Sequence, residues 1–541
     1  MDEPTLTEET EALQASPPGG DRARDQRVIL GNTGQNVLGL AIGALATFGA
    51  QVIMTHRLGD EGFGVVTLTT QFAFVAAAAT RFGMDVANVR LIAILVGRGQ
   101  AARSRGLVRR SVAIAAAVSV PFALVALVAS PWLAEVFSGQ PGVAEPAFRA
   151  AAVTVPIAAL AFTAMGATRG LKIMRFTLYS QWIAQPIGWI ALTLAMWAAI
   201  SATPWVASAA FGASWALALG IAWYGWEKEQ RRFPDLEAEV AAAGIPEEHT
   251  GALLRFGALR APATLFSQLI FWADFFVLSV LWSGQGAAGD AVTGVYGAVL
   301  RAGQSLFLFL TSVSLTFSPF VADLHHRGET GRLDALYKQV TRWTLGATIP
   351  LLLVLAILPG EVLRIFGADF VQGEDALRIL IVGMIVPVMV GTVGFILIMA
   401  GRTGWDLAVY VNSFALDIGI ALWLARPEEL GIRGAAIAQA TTLTVSAVAR
   451  LLLVRRFLGI WPFDVAFLRL LPATLVGGLV MAGVHAIMPA EKWLLDLVVS
   501  FAAGGVAYGA ALIAVGIPVS ERAALVMMAR RVLRRGSAAA G

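Results

Sequence analysis

The sequence predicts an all-α polytopic membrane protein with about 14 transmembrane helices, in two pseudo-symmetric six-helix lobes followed by two C-terminal helices. Composition, the spacing of apolar stretches and an internal repeat carry that prediction. Of the 541 residues, 57% are hydrophobic and 14% charged, with a mean hydropathy of +0.72. This is more apolar surface than a water-soluble core can hide, so a bilayer must supply the missing solvent. A crossing helix needs ~20 apolar residues, because each advances ~1.5 Å through a hydrocarbon layer ~30 Å thick.

Spans are expected near 34–56, 65–83, 111–130, 150–169, 176–198, 204–226, 261–282, 292–320, 343–359, 377–400, 405–425, 432–454, 466–488 and 494–516. Residues 1–30 are polar, carry Pro4, Pro17 and Pro18 and lack helical periodicity, so they read as a disordered tail. The first apolar run, from about Gly34, is long enough to cross and has no cleavage site behind it, which predicts retention in the mature chain. Tryptophans 132, 205, 282, 461 and 493 fall near span ends, as an interfacial belt requires.

Charge sets the expected orientation. With the amino terminus inside, 31 of the 40 Lys and Arg residues fall in inside segments and 7 in outside segments. Cytoplasmic loops are enriched in basic residues, so both termini are predicted to be cytoplasmic, which needs an even number of spans. The net charge of +4 is spread in short clusters between apolar segments rather than along one face, which argues against nucleic acid as a partner. No cysteine is present, which excludes disulfides and thiol nucleophiles. The rarity of lysine beside arginine, with abundant alanine and glycine, suggests GC-rich bacterial coding.

A repeat divides the chain. Val120, Pro121 and Phe122 through Val136 and Phe137 align without gaps on Ile349, Pro350 and Leu351 through Ile365 and Phe366, at an offset of 229. Gly64 matches Gly294 at 230, while Pro156 matches Pro387 and Gly170 matches Gly401 at 231. Six helices per repeat is an even number, so the lobes are expected to be parallel, related by an axis along the membrane normal. The expected units are a tail (1–30), an N-lobe (31–226), a cytoplasmic linker (227–257), a C-lobe (258–456), spans 13 and 14 (457–520) and a basic tail (521–541).

The stretch Arg57, Leu58, Gly59, Asp60, Glu61, Gly62, Phe63 and Gly64, followed by a span ending in Arg81, Phe82, Gly83, Met84 and Asp85, resembles the opening of polysaccharide transporters of the multidrug/oligosaccharidyl-lipid/polysaccharide exporter superfamily. Pro262 and Asp274 in span 7, Gly294, Val295, Tyr296 and Arg301 in span 8, and Ser318 and Pro319 at its end are similarly arranged. The resemblance implies a flippase that moves a lipid-linked oligosaccharide across a bacterial plasma membrane by alternating access. It also implies possible partnership with a glycan polymerase or other synthesis machinery. Fourteen spans are similar in layout to the lipid II flippase, where the last two helices help form a groove for the lipid tail.

Ionisable residues inside a membrane are functional candidates. Arg301 and Asp274 lie at similar depth on consecutive spans and are expected to meet, either as a structural ion pair or as part of the transport cycle. Gln304 and Ser305 follow Arg301 at helical spacing and extend a polar face. In span 11, Asp406, Tyr410, Ser413 and Asp417 share one face, which suits cavity lining, a coupling cation (Na+ or H+), or interhelical hydrogen bonding. Asn32, Gln35, Asn36 and Gln51 in span 1, and Gln181 and Gln185 in span 5, suit either sugar binding or packing. Arg81 suits an anionic diphosphate, or a loop salt bridge with Asp85. The candidate substrate contacts are therefore Arg301, Arg81, Gln304, Gln185, Asn36 and Gln51, and the candidate gating or coupling residues are Asp274, Asp417 and Asp406.

No Walker A or HExxH sequence occurs, outside loops are short, and His325 and His326 read as solvated. No enzyme activity, cofactor or metal site is expected. The rival readings are a cation-coupled multidrug exporter of the same superfamily, a membrane-embedded glycosyl ligase or polymerase, and a scaffold subunit of a cell-envelope synthesis complex.

Overall fold

The computed structural model describes residues 21–97, 100–231, 248–307 and 327–515, with 310, 311, 313, 314, 317, 321, 324 and 325 between them. For 21–41, 97, 252 and 259 only the backbone is described. Every regular element among these residues is helical. The helices are α1 (Asp21–Thr80), α2 (Met84–Gly97), α3 (Ser104–Val128), α4 (Ser130–Phe137), α5 (Pro141–Gly170), α6 (Arg175–Ala199) and α7 (Pro204–Gln230). After them come α8 (Glu248–Leu269), α9 (Ala273–Trp282), α10 (Ala287–Gln304), α11 (Thr330–Ile357), α12 (Pro359–Arg364) and α13 (Glu374–Val390). The last five are α14 (Val393–Met399), α15 (Thr403–Leu424), α16 (Ile432–Leu458), α17 (Leu470–Ile487) and α18 (Trp493–Val515).

Among the described residues, ten helices are long and apolar enough to cross a membrane, and two bent pairs raise the number to 12. The first of the ten, Ile42–Thr80, contains 39 residues. At ~1.5 Å per residue it would be about twice as long as the hydrocarbon layer is thick. It is two spans joined at Gly59, whose φ of 69° and ψ of −171° break the helix at a conformation that favours glycine. Adding α10, which holds Asp290 and Arg301, brings each of the 14 expected spans onto a helix.

Three boundaries differ from expectation. α1 starts at Asp21, inside the segment expected to be unstructured. The 84–110 stretch expected as an inside loop contains α2, which packs on α5 and α3. Here Phe82 and Gly83, at φ 52° and 67°, interrupt the chain for only three residues before it turns helical again. Spans 7 and 10 are each broken: α8 and α9 meet at 60°, and α13 and α14 at 44°. Gly391, at φ 63°, sits at the second break four residues after Pro387, and the Tyr337 hydroxyl donates to the freed Val390 carbonyl at 2.8 Å.

Packing follows small residues. α5 packs closely on α7 through a face rich in alanine, which lets backbones approach. Across the repeat, α1 packs on α10, and the two glycines matched in the sequence meet. A Cβ on Gly64 would strike the Asp290 carbonyl, and a Cβ on Gly294 would strike the Asp60 carbonyl. Asp60 and Asp290 are also 230 positions apart. The contact is isologous, each partner presenting the same groups to the other, as a two-fold axis between the repeats demands. The α17–α18 hairpin lies against α11, where the Tyr508 hydroxyl donates to the Gly346 carbonyl at 2.9 Å. Its other faces expose Leu471, Leu475, Leu479, Val498, Val506 and Ile513, a surface suited to lipid.

Candidate functional site

The break between α8 and α9 leaves the first turn of α9 without intrahelical partners for its N–H groups. Asp274 occupies that turn, and its backbone N–H donates to the Asp417 Oδ2 of α15 at 3.0 Å. The hydroxyl of Tyr296, on α10, donates to Asp274 Oδ2. Both aspartates are completely buried. The second oxygen of each, Oδ1, has no hydrogen-bond partner among the described residues. Neither carboxylate has a Lys, Arg or His nitrogen within 4.0 Å there. The buried hydroxyl of Thr442, on α16, lies beside Asp417, and Ser413 is buried one turn earlier on α15. Two uncompensated carboxylates in a low-dielectric interior are costly, so the arrangement suits uptake of a proton or a small cation.

The polar face read on span 11 meets a matching face of α16: Gln439, Thr442, Ser446 and Arg450 are all buried. Asp406 differs from Asp417 in having a cationic partner, because Arg450 Nε donates to its Oδ1 at 2.8 Å. The same guanidinium donates to Ser446 and lies over the Tyr410 ring at 4.3 Å. This ion pair is 11% and 6% exposed, so Asp406 is already neutralised by the protein. Arg450, counted among the loop charges, is a packed interior residue.

The expected meeting of Asp274 and Arg301 does not occur. One turn and a half of α10 separates Tyr296, which reaches Asp274, from Arg301, which turns toward α8 and α9 and stacks over Trp272 at 4.6 Å. Arg301 is half-buried and has no carboxylate within 4.0 Å among the described residues. Gln304, one turn on, is also half-buried.

The other candidates separate into engaged and open groups. Arg81 is held by Asp85 at 3.4 Å and by the Phe162 ring at 4.5 Å, with Arg169 at 3.9 Å from the other Asp85 oxygen. Gln185 donates to Ser214 at 3.2 Å and ties α6 to α7. Gln51 is buried with its Oε1 unpartnered among the described residues. The side chains of Asn32, Gln35 and Asn36 lie outside the described residues, as do His326 and most of the 227–257 linker.

The sequence reading missed Asp290, which precedes the span it assigned. Its carboxylate accepts from the Ser138 hydroxyl at 2.9 Å and from the backbone N–H groups of Gly139 and Gln140 at 3.0 and 3.1 Å. It thereby ties α10 to the segment between α4 and α5, next to the Gly64–Gly294 contact. Gly139 and Gln140 offered no sequence signal, because the donors are main-chain groups.

A membrane-spanning segment broken beside the buried Asp274, in a bundle joined by an isologous contact, marks a multi-pass membrane architecture. The fold is similar to that of solved members of the MOP superfamily. The family model described as MatE matches residues 45–194. A multidrug resistance MATE family transporter in an inward-facing conformation superposes with a TM-score of 0.62 at 17% identity, covering 78% of this chain and 98% of that one. The lipid II flippase MurJ in an inward closed conformation gives 0.63 at 13% identity, over 87% and 98%. A MOP superfamily transporter from Pyrococcus furiosus gives 0.61 at 16% identity, over 80% and 95%. At such identities the likeness is one of fold. No curated protein matches the sequence.

Proposed function

We propose that this protein is a cation-coupled flippase for an anionic lipid-linked oligosaccharide or polysaccharide precursor in a bacterial plasma membrane. The observation that carries the reading is Arg301, a half-buried guanidinium in a membrane-spanning helix with no carboxylate partner among the described residues. A protein stabilising only its own fold would pair that charge; a diphosphate headgroup would supply the missing anion. Gln304 and Gln51 would add neutral hydrogen bonds to sugar, and the Arg81–Arg169–Asp85 cluster, with two cations on one carboxylate, would receive a headgroup at the cytoplasmic end. Asp274 and Asp417 would take the coupling Na+ or H+.

In this reading the lobes 31–226 and 258–456 rock about the axis through the Gly64–Gly294 contact, and both termini are cytoplasmic. The headgroup crosses between the lobes while the lipid tail stays in the bilayer. Glycan polymerase or other synthesis enzymes would hand over or receive the substrate.

The MatE match to residues 45–194 favours a second reading, a cation-coupled multidrug exporter. The two differ in the sign of the charge they would welcome beside Arg301. Translocation of a lipid-linked oligosaccharide diphosphate and of a cationic dye is to be measured in parallel in proteoliposomes. Glycolipid movement that falls at least tenfold in Arg301→Ala supports the flippase. Dye movement without glycolipid movement would replace it with the exporter.

A further inference from the structure

We propose that Glu361, His485 and Asp496 form a binding site for a divalent transition-metal ion of the zinc class, fastening the α17–α18 hairpin to the body of the bundle. The residues come from three helices, α12, α17 and α18, and one ligand atom from each lies within 4.8 Å of the other two. No sequence pattern exposes the set, because Glu361 is more than a hundred positions from the other two.

Several features distinguish the cluster from a surface ion pair. His485 Nδ1 and Asp496 Oδ2 are 2.6 Å apart, and the second Asp496 oxygen accepts from the Ser500 hydroxyl at 2.7 Å. That outer hydrogen bond fixes the carboxylate, as second-shell partners fix metal ligands. The Asp496 side chain is only 5% exposed while that of His485 is 36% exposed, so a buried ligand is reached through a partly open one. Glu361 is half-buried and has neither an ion pair nor a hydrogen bond among the described residues. Arg364, one turn further on α12, is directed to the Ala490 carbonyl at 3.4 Å instead.

Charge and donor type select the ion. Two carboxylates and a neutral imidazole carry two negative charges, which one divalent cation balances. An imidazole among the donors suits zinc and its neighbours and disfavours calcium and magnesium, which take oxygen ligands. Zinc bonds of ~2.0–2.2 Å would separate the ligand atoms by roughly 3.3 Å in a tetrahedron, so the His485–Asp496 contact need open by less than ~1 Å. Three protein ligands leave one position for water.

The test uses the full chain in detergent, stripped with a chelator, reloaded with zinc and passed through a desalting column. Metal content is measured by mass spectrometry and unfolding by a thermal melt. The wild type is expected to retain one zinc per chain and to melt higher with zinc, with millimolar magnesium unable to compete. Glu361→Gln and His485→Ala are each expected to weaken zinc binding at least tenfold. Glu361→Gln keeps the side-chain shape, and a zinc-free melt equal to wild type separates loss of the site from loss of the fold. A folded wild type that retains no zinc, or variants that retain as much as wild type, would overturn the proposal.

Discussion

Asp406 and Asp417 occupy one face of one helix, yet their surroundings assign them different roles. Asp406 has Arg450, so removing either partner strands a charge inside the protein; Asp406→Asn or Arg450→Ala should lower stability by ~3–5 kcal/mol, read as a loss of melting temperature in detergent. Replacing both with apolar residues of similar volume should recover most of that loss. Asp417 and Asp274 have no cationic partner among the described residues, so Asp417→Asn should leave the melt unchanged or raise it while abolishing any dependence of transport on a Na+ or H+ gradient. An unchanged gradient dependence in that variant would remove Asp417 from the coupling site. The i, i+4, i+7, i+11 spacing already marked this face as one that avoids lipid. It could not divide the face into a paired and an unpaired half, because the dividing residue, Arg450, sits on another helix. The same limit applies to Asp274 and Arg301. Their depths were legible from position along each span, but the rotation of α10 that gives Asp274 to Tyr296 was not.

At the scale of helices, apolar run length reported every span yet was blind to breaks inside them. Spans 7 and 10 read as continuous because Trp272, Gly391 and Thr392 are compatible with an apolar run. What bends them is main-chain geometry, and what compensates the freed groups is Asp417 in one case and Tyr337 in the other. The tight joint at Gly59 and the close approach at Gly64 and Gly294 were legible as glycines but not as a contact. Gly294→Val places a branched side chain against the Asp60 carbonyl and should destabilise the protein by ~1–3 kcal/mol or more. Gly49→Ala, with nothing within 4 Å of the added carbon, should be neutral in the same thermal melt.

For the whole molecule, the absence of cysteine makes topology directly measurable. Single cysteines at the exposed Ser201 and Gln100 lie at opposite ends of the bundle according to the charge asymmetry. A membrane-impermeant thiol reagent should label Ser201→Cys in intact cells and Gln100→Cys only after permeabilisation; the reverse pattern would invert the assigned orientation. The reciprocal contact between Gly64 and Gly294 reaches further still. Each half offers the other an identical glycine and an identical aspartate carbonyl, which is how two copies of one smaller protein would dock. A chain cut between residues 232 and 247 and expressed as two polypeptides should therefore reassemble through this contact. Gly294→Val should prevent the reunion even where it leaves the uncut protein folded.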